Sequence, residues 1–368
     1  MTDTNLTDLL RGCEVIKDKN DNAIVQTIRN MEIVFLTTDD TFSFDNRFAN
    51  PLDVVVSNHT YGHVAMQNAS PDRDMIVAPQ VAVFANSAQN HAMVKSAAIK
   101  AASQNNYNDA GCIQGTNTGY IRGQNVTAIR FMPVGLRESL LRKIGSTEGY
   151  SHLYKHITAF GSRTESGSGN YLDKYYSHFS GDLAEFIAHF ERPEKVIGFI
   201  VLVDGEVLAI DKFPSFTYAR QVWELLVRDC YSSVAIESMV KNKTRKTQDF
   251  TKLAQTTAKE DDETTAQYLS RVLTQTKQNI SDRVRERVRE LTTVAFDMEK
   301  DKDNSDDVFE SNILKSNGYI GQSIASGGFY HLVSIIKKEA FDPDNIRETL
   351  QVTEEYRQAS ENQRSFII

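Results

Sequence analysis

The sequence predicts an α+β fold: a mostly antiparallel sheet with two related hairpins packed on helices, plus a long helical insertion. Three observations carry this reading. Residues 196–213, VIGFIVLVDGEVLAIDKF, place two apolar runs either side of Asp204-Gly205, and both turn residues tolerate the positive φ that a two-residue hairpin demands. The first run is apolar at consecutive positions, as in a strand covered on both faces. Residues 220–231 follow as a helix around Trp223, the single tryptophan, and a hairpin handing over to a helix is an α+β core unit. Residues 319–336, YIGQSIASGGFYHLVSII, then repeat the hairpin, with Gly321 where the first has Gly198 and Gly328 where it has Gly205. The two hairpins are expected side by side in one sheet.

Taken in order, residues 4–30 read as a short helix or two and a polar break. Residues 31–37 (MEIVFLT) and 52–57 (LDVVVS) are strands, with weaker strand signals at 63–66, 75–77 and 81–85. Residues 92–102 (AMVKSAAIKAA) stay open: their alanines favour helix, their short-strand surroundings favour β. Residues 107–118 form a loop rich in Gly, Asn and Asp. Residues 126–132 alternate as a strand up to Pro133, and 136–144 start a helix. Residues 162–170 (SRTESGSGN) read as a flexible loop, and 181–190 as a helix with Leu183, Phe186, Ile187 and Phe190 on one face. Residues 241–299 contain neither Gly nor Pro and read as two long charged helices broken near Asp261-Asp262-Glu263. Arg283, Arg285, Arg287 and Arg289 scatter around the second of these beside Glu286 and Glu290, the pattern of a solvated or partner-facing helix. Residues 301–307 (DKDNSDD) are an acidic loop without the central glycine and closing glutamate of an EF-hand. The expected organisation is a helical segment at 1–30, an α+β core at 31–240 with 308–340, a charged helical insertion at 241–307, and a C-terminal helix and tail at 341–368.

Composition narrows the function classes. The chain has 368 residues and a net charge of −8, whereas a general nucleic-acid binder shows a basic footprint. The KNKTRK run at 241–246 is the one basic cluster, so nucleic acid is an unlikely partner. Cys13, Cys112 and Cys230 are odd in number and far apart, which fits a reducing compartment and a cytoplasmic protein. The first residues lack the basic and apolar regions of a signal peptide. No run approaches the roughly 18 apolar residues of a membrane span, so no membrane partner is expected. No phosphate loop, GxGxxG fingerprint, GxSxG elbow or CxxC pair occurs, and no cofactor is implied.

Candidate site residues are few. Gln89, Asn90 and His91 place amides and an imidazole together, groups that read base edges or ribose hydroxyls and move protons near neutral pH. The competing reading is a turn that satisfies its own backbone. Cys112 with Gln114 in the Gly/Asn-rich loop offers a nucleophile beside an amide donor, or simply a small buried hydrophobe at a strand end. His331 lies on the return strand of the second hairpin. Asp211 before Phe213 is expected to cap the helix that follows. His59 and His63, four apart in an extended stretch, do not form a zinc site.

These residues resemble a domain family named for its association with ADP-ribosylglycohydrolase and rhodanese/phosphatase genes. Three blocks carry the resemblance. The first is Ser87-Ala88-Gln89-Asn90-His91, Ser96 and Cys112-Ile113-Gln114-Gly115; the second is Gly198, Gly205, Asp211, Phe213, Trp223, Leu226 and Tyr231; the third is Gly321 with His331-Leu332. The chain departs from the family pattern at His91, which replaces an arginine, at Gln114, which replaces a glutamate, and at Gly115-Thr116-Asn117, which replaces Gly-Arg-Trp. The gene association implies NAD or ADP-ribose metabolism. The resulting expectation is a nucleotide- or ADP-ribose-related binding or processing protein, with Gln89, Asn90, His91, Cys112, Gln114 and His331 at its ligand site and the reaction left open. The first alternative is a non-catalytic structural or interaction protein that self-associates through residues 241–307, and the second is a nucleic-acid-binding protein that uses the basic cluster at 241–246.

Overall fold

The computed structural model describes residues 2–28, 30–85, 89–115, 126–144, 149–241 and 249–338. Ser87, Ala88, Thr116, Asn117, most of the basic KNKTRK run and the expected C-terminal helix and tail lie outside these residues.

Ten strands build one antiparallel sheet. Its path runs Thr2–Asn5, Ala295–Lys300, Glu310–Lys315, Tyr319–Ser326, Phe329–Lys337, Glu206–Lys212, Gly198–Val203, Met31–Thr38 and Cys13–Val15, and Val25–Ile28 also pairs with Met31–Thr38. The two hairpins are neighbours, joined through their return strands with Asp211 opposite Ser334. They match position by position. Both turns take positive φ at both residues, Asp204 at 52° and Gly205 at 81°, Gly327 at 57° and Gly328 at 79°. Each outgoing strand shifts register three residues after its glycine, between Val201 and Leu202 and between Ile324 and Ala325. A Cβ on Gly198 would sit 2.4 Å from the Asp211 carbonyl oxygen, and one on Gly321 would sit 2.4 Å from that of Ser334. The repeated glycines therefore exist because the return strand presses on them at two equivalent residues.

Nine strands in a row, at about 4.8 Å spacing, would set the edge strands roughly 38 Å apart in a flat sheet. The edges are Thr2–Asn5 and Cys13–Val15, linked only by residues 6–12. That link, partly helical, reaches roughly 20 Å, so the sheet curls. The helix Leu6–Leu9 crosses the hollow and buries both leucines with Val34, Ile200, Ile210, Val333 and Ile335. The long helix Thr265–Thr292 fills the same face with Val284 and Leu291. A capping box of Thr264 and Gln267 starts this helix. Arg283 pairs with Glu32, and Arg287 donates to the Gly205 carbonyl at 3.2 Å and pairs with Glu206. Two of the four clustered arginines thus hold the helix to the sheet.

The convex face carries the larger core. Phe35 and Phe199 pack on Trp223, with ring centroids 5.7 and 5.0 Å apart, under the helix Phe216–Leu225. That helix continues as a π-helix, Leu226–Tyr231, a widened turn often found where side chains need re-aiming. Here Asp229, Cys230 and Tyr231 are all buried. Helices Val134–Lys143, Tyr154–Arg163, Leu172–His178 and Ser180–Ala188 and three small sheets complete the layer.

Arg137, on Val134–Lys143, is fully buried, and all five of its N–H donors are occupied. Nη1 and Nη2 reach Asp211 at 3.0 and 2.9 Å; Nη2 also reaches Ser334 Oγ at 2.6 Å, Nη1 reaches Cys230 Sγ at 3.4 Å, and Nε reaches Gln80 Oε1 at 3.0 Å. Tyr231 Oη donates to Asp211 as well. Gln80 adopts a φ of 45°, a conformation few side chains take without a compensating contact.

Several sequence expectations change. Asp211 caps nothing; Ser215 does so, accepting from the Tyr218 amide at 3.0 Å. Residues 4–30 contain the one helix Leu6–Leu9 and otherwise short strands. Ala295–Lys300, expected as helix, is a sheet strand, because Phe296 alternates with exposed neighbours into the hollow. Residues 92–102 are neither a full helix nor a full strand; only Ala98–Ile99 and the end of His91–Ala92 pair. The 162–170 loop is packed, with Thr164 and Ser168 buried and Ser166 Oγ 2.9 Å from Ser168 Oγ.

Asp211→Asn leaves the Arg137 guanidinium buried without its counter-charge, and breaking such a pair costs about 3–5 kcal/mol. The urea midpoint of this variant drops accordingly. The double variant Arg137→Met/Asp211→Leu, with no buried charge, recovers most of that loss.

Candidate functional site

The first group of predicted site residues is held together by its own bonds. Gln89 Nε2 donates to the Gln114 carbonyl at 2.6 Å, and the Asn90 amide reaches Gln114 Oε1 at 3.4 Å. Asn90 Oδ1 accepts from the Ala85 amide at 2.9 Å. Cys112 lies opposite His91 in a two-residue ladder. The His91 ring accepts from the Gly62 amide through Nε2 at 3.0 Å, so its proton sits on Nδ1. Burial holds this imidazole down at about 4 and pushes the Cys112 thiol up to about 11. A thiol shifted in that direction is not activated as a nucleophile. Gln89, Asn90, His91, Cys112 and Gln114 thus lie together, with Asn90 and His91 accepting from backbone amides.

His331 belongs to a different neighbourhood. Its ring sits edge-on to Phe44 and Phe48, 4.6 and 5.1 Å between centroids. Its Nε2 is 2.9 Å from Ser326 Oγ and 3.2 Å from Arg47 Nη1, while Arg47 Nη2 donates to Ser326 Oγ at 2.7 Å. A guanidinium has only donors, so His331 Nε2 is the acceptor, and the Ser326 hydroxyl points its proton at it. Burial first, then Arg47 and Lys212, drive this imidazole down to about 3. Among the described residues no carboxylate pairs with it, so the serine–histidine pair lacks the third group that would strengthen the base.

Ser326 also lines an open cleft of about 680 Å³, together with Arg11, Lys300, Gly327, Gly328 and Tyr330. Asp8, Asp306, Asp307 and Glu310 form its acidic rim. Each rim carboxylate has a cation: Arg11 is 3.5 Å from Asp8, Lys100 is 3.4 Å from Asp306 and 2.5 Å from Asp307, and Lys300 is 3.9 Å from Glu310. A small chamber adjoins the cleft, sharing Asp8, Arg11, Gly328 and Tyr330 and adding Phe42, Phe44, Lys212 and Phe329.

Sequence reasoning missed Ser326, Arg47 and Lys212. One signal was available. Aligning the two hairpins on their glycines sets Ser326 against Val203 and His331 against Leu208. The first hairpin is apolar where the second carries a hydroxyl and an imidazole. Among the described residues, no group of three His, Cys, Asp or Glu side chains is placed to hold a metal ion, and no helix is long and apolar enough to cross a membrane.

The depressed histidines set a pH dependence. An unfolded histidine titrates near 6.5, whereas His91 titrates at about 4 when folded. The unfolded chain therefore binds more protons between these values, and stability present above pH 6.5 is lost as pH falls toward 4. For His91 alone the loss is on the order of 3 kcal/mol. Urea midpoints measured from pH 7.5 to 4.5 fall, and His91→Gln makes that fall shallower.

No curated protein and no solved structure gave a match. A family model did: the ARG and Rhodanese-Phosphatase-superfamily-associated Protein domain, over residues 24–302. That span takes in the Gln89–Gln114 cluster and the first hairpin, and ends before the second hairpin with Ser326 and His331. With well over half of its length matched, the chain belongs to the ARG and Rhodanese-Phosphatase-superfamily-associated Protein domain family.

Proposed function

We propose that this protein binds a nucleotide- or ADP-ribose-class ligand in the cleft beside Ser326–Gly328. The observation that carries the reading is the cleft itself. Its volume of about 680 Å³ falls within the roughly 300–1,000 Å³ of small-molecule sites. Its wall combines Tyr330, which suits a base or ribose face, with the Ser326 hydroxyl and the two-glycine turn. The family's association with ADP-ribosylglycohydrolases points to the same ligand class. Of the six residues singled out in the sequence, His331 stands beside this cleft, and the Gln89–Gln114 group serves as scaffold. Binding is proposed without turnover, because His331 is held too far below neutrality to act as an efficient base.

Calorimetric titration with ADP-ribose, NAD and AMP tests this. Saturable binding is expected for at least one. Val308 lines the cleft and is 42% exposed, so Val308→Trp occludes the cleft without disturbing the core and weakens that binding at least tenfold. No binding by any of the three ligands sinks the proposal.

A second reading rests on the long helix. Leu269 and Leu273, one turn apart, are 44% and 46% exposed on the segment expected to mediate self-association. If this stretch joins two copies, light scattering gives a dimer mass that Leu269→Glu/Leu273→Glu converts to monomer. A monomeric mass for the unaltered chain at high concentration rules it out.

A further inference from the structure

Two cations behind the cleft wall have no carboxylate partner among the described residues. Lys212 is only 7% exposed, and its Nζ bonds the Tyr330 carbonyl. Arg47 is spent on Ser326 and His331 and on the rings of Phe48 and Phe309, 5.2 and 5.6 Å from its guanidinium. The two converge on one histidine. Arg47 bonds His331, and Lys212 bonds the carbonyl of the residue before it. Buried charges are ordinarily paired, because an unpaired one is costly to take from water. The contrast with the rim is direct: there every carboxylate has its cation, while the two inner cations have none.

We propose that Arg47 and Lys212 form a subsite for a phosphoryl anion that enters from the cleft and supplies the missing counter-charge. This rests on the nucleotide-class reading and names the groups that would take the ligand's phosphates. Lys212 reaches the anion through the small chamber, which holds about 10 Å³ of free space, roughly one water molecule. A terminal phosphoryl oxygen is of that size. Phe329 stands over this chamber on the Gly327-Gly328 turn and is 41% exposed, resting edge-on against Phe42 and Phe44 at 6.0 and 5.8 Å. Its displacement opens the way from the cleft to Lys212. The same anion would offset the two charges that keep His331 neutral.

The test is calorimetric titration of the full chain with inorganic pyrophosphate, ADP-ribose and adenosine. It compares the unaltered protein with Lys212→Met, Arg47→Met and Arg47→Lys. Pyrophosphate and ADP-ribose are expected to bind, each at least tenfold more weakly to either methionine variant, while Arg47→Lys retains most of the affinity. Melting temperature separates binding from folding. Replacing Lys212, a buried cation without a carboxylate partner among the described residues, with methionine is expected to leave it unchanged or raise it, whereas a purely structural lysine would show a clear drop. If ADP-ribose binds all four proteins alike, the subsite is refuted and the nucleotide-class reading stands. If pyrophosphate binds with the expected losses and neither ADP-ribose nor adenosine does, the subsite stands and that reading falls. If nothing binds, both fall.

Discussion

The Arg137–Asp211 pair is the constraint around which the sheet and its helices are arranged. A fully buried guanidinium tolerates no idle donor, and here its acceptors come from four separate places in the chain. Asp211 and Ser334 come from the two return strands, Cys230 from the π-helix and Gln80 from a strained loop, while Arg137 itself rides on a helix. Moving any one of these elements leaves a polar atom unsatisfied in the core. Such a pair contributes little net stability relative to apolar packing. Its effect is to make alternative placements of the helices on the sheet expensive.

The repeated hairpin follows from the same centre. Gly198 and Gly321 each lie against the carbonyl of an Arg137 ligand, Asp211 in one hairpin and Ser334 in the other. The close approach that demands glycine brings the two return strands into register where their side chains meet one guanidinium. The two hairpins thus share a frame, and they diverge at the turn end. There the first has Val203 and Leu208, and the second has Ser326 and His331. Conserving the frame while changing the rim is an economical way to place polar groups at the mouth of a sheet.

The frame was legible in the sequence because hairpins, their turns and their glycines are local patterns. The α+β class, the equivalence of the two hairpins and their adjacency all follow from residues within a few positions of each other. The curl was not legible, since it depends on residues 6–12 bridging one strand that pairs with residues 295–298 and another that pairs with residues 36–38. Ala295–Lys300 was hidden for a related reason: a charged strand next to a long polar helix has the helix's composition, and only pairing with Thr2–Asn5 and Glu310–Lys315 distinguishes it. The Gln89–Gln114 residues lie together because short polar side chains in adjacent loops bond locally. His331 was placed with them by family resemblance, and its actual partners at Phe44, Arg47 and Phe48 leave no periodic signal.

The chain disposes of its buried cations in two opposite ways, and the difference locates where a ligand would matter. Arg137 sits at the centre, away from solvent, with an aspartate and three further acceptors. Arg163 meets Glu237 at 3.1 Å, and Lys95 meets Asp301 at 3.2 Å and Asp109 at 3.4 Å. These are closed accounts of charge. Lys212 is as deeply buried but lines the small chamber with a backbone carbonyl as its partner, and Arg47 stands behind the cleft wall against two aromatic rings. A carboxylate at Ser326 or Tyr330 would have closed this pair too. The want of a carboxylate on Lys212 among the described residues, where Arg137 and Lys95 each have one, is what separates a proposed binding surface from one more piece of scaffold.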